Sequence, residues 1–267
     1  MQTVALLTSE ESFINNYGAA LQGYALYTTL KELGLAPCIV RYQGGEARNS
    51  QIAYRLFQVK RFLGKKYRAI VDSKPEQYTA EVLEKVKKRE RMFEDFSLSC
   101  MSFWNEKRVS WQQLRKDYPK CDCYICGSDQ IWNPYFKSGF NDPGYFLAFA
   151  PDNSLKIAYA PSFGCDDIPE TARKTLPSLL KDFDAISVRE QSSVEIVRKY
   201  ANRTAEHVLD PTLLRTDKQW RHIAKKPERL TEHYILSYRF AESDNTKQMI
   251  DRIAVETGLP VVSLPLS

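Results

Sequence analysis

Short apolar runs alternate with amphipathic stretches along this chain of 267 residues. Apolar runs predict strands at 3–8 and 38–42, and the stretch 16–33 between them predicts a helix. Leu26, Leu30 and Leu33 share one face of that helix, and Gly34 follows where a C-cap glycine belongs. The strand–helix–strand order predicts the start of a doubly wound, mainly parallel α/β sheet of the Rossmann-like kind.

The same alternation continues through the middle of the chain. Because parallel strands are buried on both faces, they read as short continuous apolar runs between helices. We predict helices at 79–96, 111–118, 170–181 and 189–200, a buried strand at 122–126, and strands or strand-like runs at 145–150, 157–160, 185–188 and 207–209.

A proline-containing, charged stretch near residue 220 interrupts this pattern. It predicts an N-terminal Rossmann-like domain at 1–214, a linker at 215–232, and the beginning of a second Rossmann-like domain at 233–267. That last segment predicts a strand at 234–238, a helix at 242–257 closed by Gly258, and a strand at 260–264. Two strands and one helix cannot bury both faces of a sheet, so we expect a truncated or partner-completed second domain.

Composition narrows the class of protein. The 43% hydrophobic content supports a full core, and the net charge of +5 is mild. The six cysteines are too uneven for a disulfide scaffold, and no signal or membrane-spanning run is present, which predicts a cytoplasmic location. The segment 51–71 has six basic residues, no acid and several aromatics. It predicts either peripheral contact with the inner face of a membrane or a solvated helix packed by its aromatic stripe, and not a nucleic-acid binder.

Small polar residues follow the strand at 122–126, which is how an α/β sheet presents chemistry at the carboxyl end of a strand. Asp129 could act as a base or merely satisfy backbone amides of its turn. The amides of Gln130 and Asn133 suit sugar hydroxyls. The candidate substrate-binding residues of this segment are Gly127, Ser128, Gln130 and Asn133, with Asp129 as a catalytic candidate.

Further candidates come from other strand ends. The turn at Asn16, Tyr17 and Gly18 could offer backbone amides to an anion or hydroxyl, or only cap the helix. Arg189 is the second catalytic candidate and stands at a strand-to-helix junction, where it could bind an anion or pair with a neighbouring carboxylate. The remaining substrate-binding candidates are Tyr159, Ser162 and Asp210. Tyr159 could stack on a sugar ring or instead pack in the core, Ser162 has no Ser-His-Asp context that would make it a nucleophile, and Asp210 could be structural.

Metal and dinucleotide sites are not predicted. Cys121, Cys123 and Cys126 form CxCxxC, but this is not a paired CxxC and no fourth ligand is close in sequence. Successive residues of a strand also point to opposite faces, which places Cys121 and Cys123 on one face and Cys126 on the other. The chain has no GxGxxG, so we predict no dinucleotide.

Five sequence blocks together resemble the polysaccharide pyruvyl transferase family. They are NYGAALQGYAL, GSDQIWNP, YAPSFG, SVRE and VLDPTLL, in that order between residues 15 and 214. The resemblance implies a two-domain, glycosyltransferase-B-like fold and transfer of an enolpyruvyl group from phosphoenolpyruvate to a sugar of a cell-surface polysaccharide or its lipid-linked precursor. Phosphoenolpyruvate would be a co-substrate, no cofactor would be needed, and Arg189 would contact the donor.

Two alternatives stay open at this stage. One is a nucleotide-sugar glycosyltransferase of the same architecture, because one fold can host many chemistries. The other is a catalytically incomplete glycan-binding fragment, because the chain lacks the Arg-x-His element that the family's second half usually supplies.

Overall fold

The computed structural model describes residues 1–9, 16–44, 80–135, 142–227, 230–239 and 243–264. The chain divides into two compact units, Met1–Ala47 with Glu90–Thr216, and Arg48–Arg89 with Asp217–Ser267. The segment 51–71, for which membrane contact is predicted, lies outside the described residues. The predicted domain limits stay a prediction.

The first unit is built on a six-stranded parallel sheet. Its strand order is β2-β1-β3-β4-β5-β6, and every neighbouring pair is parallel. The mainly parallel, Rossmann-like α/β fold is therefore confirmed. The strands are β1 (Thr3–Leu7), β2 (Ala36–Ile39), β3 (Cys123–Asp129), β4 (Leu155–Pro161), β5 (Ala185–Val188) and β6 (Glu206–His207). The described helices are α1 (Tyr17–Glu32), α2 (Ala80–Cys100), α3 (Trp111–Leu114), α4 (Glu170–Leu180) and α5 (Gln191–Ala201), with 3-10 turns at Pro143–Phe146 and Pro211–Leu214. Residues 80–89 of α2 belong to the second unit.

Helix α1 begins and ends where local chemistry dictates. The Asn16 side chain accepts a hydrogen bond from the Ala19 backbone N–H, which satisfies one of the donors at the helix start. At the other end Gly34 has a φ of +80°, a conformation that favours glycine. Leu26 and Leu30 are buried as the periodicity predicts, but Leu33 is exposed because it lies at the C-cap.

The loop after β3 is anchored by a fully buried tryptophan. The Trp132 ring stacks on Phe146 at a centroid distance of 5.2 Å and contacts Phe163 at 5.5 Å and Phe183 at 5.9 Å. Its indole N–H donates to the Tyr145 carbonyl at 3.2 Å. A large aromatic held on three sides fixes the loop that carries the residues following β3.

One predicted strand is wrong. Residues 145 and 146 belong to a 3-10 turn at Pro143–Phe146, and residues 147–150 form a second, mostly buried turn after it. Pro143 occupies the first position of the turn, and Asp142 caps it by accepting from the Gly144 N–H. The predicted helix at 111–118 is a single turn at Trp111–Leu114, and the predicted run at 207–209 is the two-residue strand Glu206–His207.

The second unit contains the described elements α6 (Asp217–Ile223), β7 (Ile235–Tyr238), α7 (Asp244–Thr257) and β8 (Val261–Leu264). Strands β7 and β8 pair in parallel, in agreement with the predicted strand–helix–strand order. Ser243 caps α7, and Gly258 ends it at a φ of +66°. In the described part of the chain, no helix has the length and apolar character needed to cross a membrane.

Candidate active site at the carboxyl ends of the strands

The structure brings three predicted polar residues to one edge of the sheet. Asp129 is the last residue of β3, Arg189 directly follows β5, and Asp210 stands shortly after β6. Because all these strands are parallel, their carboxyl ends lie at the same edge. The main chain reinforces this arrangement, since Asp129 pairs with Pro161, and the Arg189 N–H donates to the Pro161 carbonyl at 3.4 Å.

Arg189 is the centre of a charged network. Its Nη1 donates to Asp210 Oδ2 at 3.0 Å and to Ser128 Oγ at 3.4 Å, and its Nε donates to Glu190 Oε1 at 3.2 Å. The fully buried Ser128 hydroxyl donates to the same Asp210 oxygen at 3.1 Å. Burial alone would lower the pKa of Arg189, but its bonds with Glu190 and Asp210 raise it. The guanidinium is therefore charged at every working pH.

Asp210 is fixed by the turn that follows it. Its second oxygen, Oδ1, accepts from the Thr212 backbone N–H at 2.9 Å and from the Thr212 hydroxyl at 2.7 Å. Burial would raise the pKa of Asp210, but the Thr212 donors and the Arg189 charge outweigh it and hold that pKa below its ordinary value. Asp210 is thus an ionised partner of Arg189 rather than a proton donor.

Asp129 has the opposite electrostatic character. Burial raises its pKa, and the Asp210 charge adds to that effect, against the Gln130 N–H, the Arg189 charge and a hydrogen bond with Ser9. Its backbone φ of +100° is unusual for a residue with a side chain and costs on the order of 1–3 kcal/mol. A strained carboxyl with raised proton affinity at the end of a strand is suited to acid–base catalysis.

The charge of this cluster is negative overall. Arg189 supplies one positive charge against the carboxylates of Asp210 and Glu190, and Asp129 adds a third carboxyl group. Activation of a neutral hydroxyl is compatible with that balance. A donor with two or more negative charges needs additional cations, which this cluster does not contain.

An amide pair lies on the loop beyond Asp129. The Gln130 Oε1 atom accepts from Asn133 Nδ2 at 2.9 Å, so the orientation of both amides is fixed. Gly164, at a φ of +63°, lies close against them, and a Cβ there would come within 2.6 Å of Asn133 Nδ2 and 2.8 Å of Gln130 Oε1. In the described part of the chain, Gln130 Nε2 forms no hydrogen bond, which leaves donors for a ligand.

The other predicted contacts near the N-terminal helix have local roles in the fold. Asn16 caps α1, and the Tyr17 ring packs against Phe93 at a centroid distance of 4.9 Å. At Gly18 a Cβ would lie 3.5 Å from Asn16 Oδ1, an ordinary van der Waals contact and the one such contact among the described residues. Their contact with a substrate stays a prediction.

Three further predicted residues lie along β3 and β4. Gly127 faces the core, where a Cβ would lie 2.8 Å from Leu26 Cδ2. Ser162 is fully buried, and its hydroxyl accepts from the Gly164 N–H at 2.9 Å. Tyr159 is half-buried, and burial, followed by the nearby Asp210 charge, raises its pKa. The Tyr159 phenol, whose pKa is raised, remains protonated at neutral pH.

Two residues that hold the site in place were not predicted from the sequence. Ser9 hydrogen-bonds the Asp129 carboxylate, and the Thr8 hydroxyl donates to the Ser128 carbonyl at 2.7 Å. Both follow β1, whose carboxyl end adjoins that of β3 in the sheet. The signal was available, because small hydroxyl residues after a buried strand are the same pattern that marks Ser128.

The fold and the site together define an α/β protein with a cluster of polar and charged side chains at the carboxyl edge of a parallel sheet. Residues 16–266 match the family model described as polysaccharide pyruvyl transferase, which covers nearly the whole chain. The chain therefore belongs to the polysaccharide pyruvyl transferase family, a family of transferases. No curated protein and no solved structure matches it.

Proposed function

We propose that this protein transfers an enolpyruvyl group from phosphoenolpyruvate to a sugar of a polysaccharide or its lipid-linked precursor, and closes a pyruvate ketal on two hydroxyls. The first hydroxyl oxygen bonds to C2 of the donor, and the phosphate leaves from the same carbon. The second hydroxyl oxygen then bonds to C2 of the resulting enol ether. The C3 methylene of the enol ether gains a proton and becomes a methyl group. One hydroxyl proton is thus retained on carbon, and the other leaves with the phosphate.

The observation that carries this proposal is the environment of Asp129. The reaction needs a base for each attacking hydroxyl and an acid for the methylene carbon. A carboxyl whose pKa is raised by burial can hold a proton for transfer to carbon, and its ionised form can accept one from a hydroxyl. We assign Asp129 to this acid–base role.

The acceptor sugar would be bound by the polar groups around Asp129. Gln130 offers the free donors of its amide, oriented by Asn133. Tyr159 presents a half-buried aromatic ring, which suits the apolar face of a sugar. Ser128 and Asp210 are engaged with Arg189, so they would shape the site and contact the sugar only at its edge.

Arg189 is the proposed contact of the donor. Its Nη2 atom forms no hydrogen bond among the described residues, while Nη1 and Nε are held by the carboxylates. Replacement of Arg189 by Ala should therefore remove one charge-assisted contact, worth roughly 1.5–3 kcal/mol of binding free energy. Isothermal titration with phosphoenolpyruvate measures this loss, and unchanged affinity would remove Arg189 from the donor site.

The activity is tested by phosphate release. The purified protein is incubated with phosphoenolpyruvate and a polysaccharide fraction whose ketals have been removed by mild acid. We expect acceptor-dependent phosphate release and new acid-labile pyruvate on the glycan, both lost in Asp129→Asn. Release of a nucleoside diphosphate from a nucleotide sugar, without use of phosphoenolpyruvate, would instead identify a glycosyltransferase. Glycan binding with no turnover of either donor would identify a binding module.

A further inference from the structure

We propose that Thr8, held by Gln22, is a positioning residue that fixes the peptide group between Ser128 and Asp129 and so aims the Asp129 carboxylate. This inference rests on the acid–base role proposed for Asp129. Neither Thr8 nor Gln22 is placed in the substrate site itself, because their exposed fractions are 0% and 2%. Any effect on the reaction must pass through the residues they hold.

The hydrogen bonds through Thr8 run in one direction. Gln22 Nε2 donates to Thr8 Oγ1 at 3.0 Å and to the Ala19 carbonyl at 2.9 Å. The Thr8 hydroxyl donates to the Ser128 carbonyl at 2.7 Å. Because a hydroxyl has one proton and Gln22 occupies an acceptor position on its oxygen, the Thr8 proton is committed to Ser128. The chain of bonds therefore has a single direction, from helix α1 through the end of β1 to the end of β3.

The bond from Thr8 supports an unusual backbone conformation at Asp129. The Ser128 carbonyl belongs to the peptide group whose nitrogen is that of Asp129, so the Thr8 bond fixes the plane from which the φ of Asp129 is measured. That φ is +100°, which a residue with a side chain rarely adopts. On the other side the Asp129 carbonyl accepts from the Ser162 N–H at 2.9 Å. Both peptide groups that flank the Asp129 Cα are thus anchored to neighbouring segments.

The anchored backbone in turn sets the position of the Asp129 carboxylate. Once its backbone is fixed, Oδ1 accepts from the Gln130 N–H at 2.7 Å, and the side chain meets Ser9, which adjoins Thr8. The end of β1 therefore holds Asp129 twice, by its preceding carbonyl through Thr8 and by its carboxylate through Ser9. Loss of the Thr8 bond frees the peptide to rotate and the carboxylate to leave this position.

The test compares three variants of the full chain. Thr8→Val removes the hydroxyl and preserves the branched shape, and Thr8→Ser restores the hydroxyl. Thr28→Val is the matched control, because Thr28 also donates to backbone carbonyls, those of Tyr24 and Ala25, within α1. The titration of Asp129 is followed by carbon NMR of labelled carboxyl groups, assigned with Asp129→Asn. The rate of phosphate release is measured in parallel with phosphoenolpyruvate and the ketal-free polysaccharide.

We expect Thr8→Val to shift the Asp129 titration and to lower kcat at least about tenfold, since small displacements of a catalytic group have large effects on rate. KM for phosphoenolpyruvate should change little, Thr8→Ser should recover most of the rate, and Thr28→Val should behave as wild type. A Thr8→Val titration identical to that of Thr28→Val would overturn the inference. If instead the titration shifts while Asp129→Asn retains full activity, Thr8 is a positioning residue and the acid–base role of Asp129 is wrong.

Discussion

Asp129→Asn should stabilise the protein at neutral pH while it removes activity. Burial raises the pKa of Asp129 in the folded state above its value of about 3.9 in the unfolded state. The stability that the Asp129 proton confers is therefore fully present below about pH 3.9 and is lost as pH rises through the folded-state pKa. Asparagine keeps the oxygen that accepts from Gln130 and removes the charge. The bonds from Gln130 and Ser9 and the Arg189 charge already offset much of the cost of burying the carboxylate.

We therefore expect a gain of about 1 kcal/mol at pH 7, at the lower end of the penalty for a poorly compensated buried polar group. For a chain of this size, that gain raises Tm by roughly 2–4 °C. The rate of phosphate release should fall by about 10²–10⁴-fold, the usual contribution of a general acid or base. Urea unfolding at pH 4 and pH 7 measures the stability, and the difference between the two proteins should shrink at pH 4.

Asp122→Asn provides a control of opposite sign. The Thr3 N–H and hydroxyl lower the pKa of Asp122, so its contribution to stability is present above the unfolded pKa and is lost as pH falls through the folded value. That variant should be destabilised at pH 7 and active. An Asp129→Asn protein that is also less stable than wild type at pH 7 would show that the carboxylate is a structural partner, and would refute the reasoning.

Three further predictions follow from the geometry of the site. Gly164→Ala should cost about 1–3 kcal/mol of stability, because the φ of Gly164 is +63°, and thermal unfolding measures this loss. The variant should also weaken glycan binding, measured by glycan titration, because the new Cβ would displace Asn133. Gly127→Ala should lose about 1–3 kcal/mol by overpacking against Leu26, and a changed KM with unchanged Tm would instead make Gly127 a ligand contact. Asp210→Asn should lower stability by about 1 kcal/mol at pH 7, allowing for its partial exposure. That loss should vanish as pH falls through the lowered pKa of Asp210, which urea unfolding at several pH values would show.

The edge of the sheet that carries the candidate site could be predicted because it follows from the parallel direction of the strands alone. A buried run that ends in Gly127, Ser128 and Asp129 marks the carboxyl end of a strand, and the same rule places Arg189 at the end of another. Because the strands are parallel, both ends lie at the same edge of the sheet whatever the details of packing. The rule applies equally to Thr8 and Ser9, which were missed because their partners lie about 120 residues away.

The contacts within the site could not be predicted in the same way. The bond from Arg189 to Asp210 spans 21 residues and depends on the pairing of the short strand β6 with β5. The positive φ of Asp129 depends on anchors from two other segments. The apolar run at 145–150 was misassigned because buried strands and buried turns have the same hydrophobic pattern. In this protein Tyr145 and Phe146 of that run contact Trp132 in the core.

The charge balance also limits what Arg189 can do for the donor. At about 4 Å, two like charges near a protein surface repel by on the order of 4 kcal/mol, so Asp210 and Glu190 oppose any anion that approaches the same guanidinium. Phosphoenolpyruvate carries a phosphate and a carboxylate, and one arginine shared with two carboxylates cannot neutralise both. Arg189→Ala should therefore weaken donor binding without abolishing it. In the proposed reaction, the remaining affinity would come from cations outside this cluster, and the cluster would act on the hydroxyls and their protons.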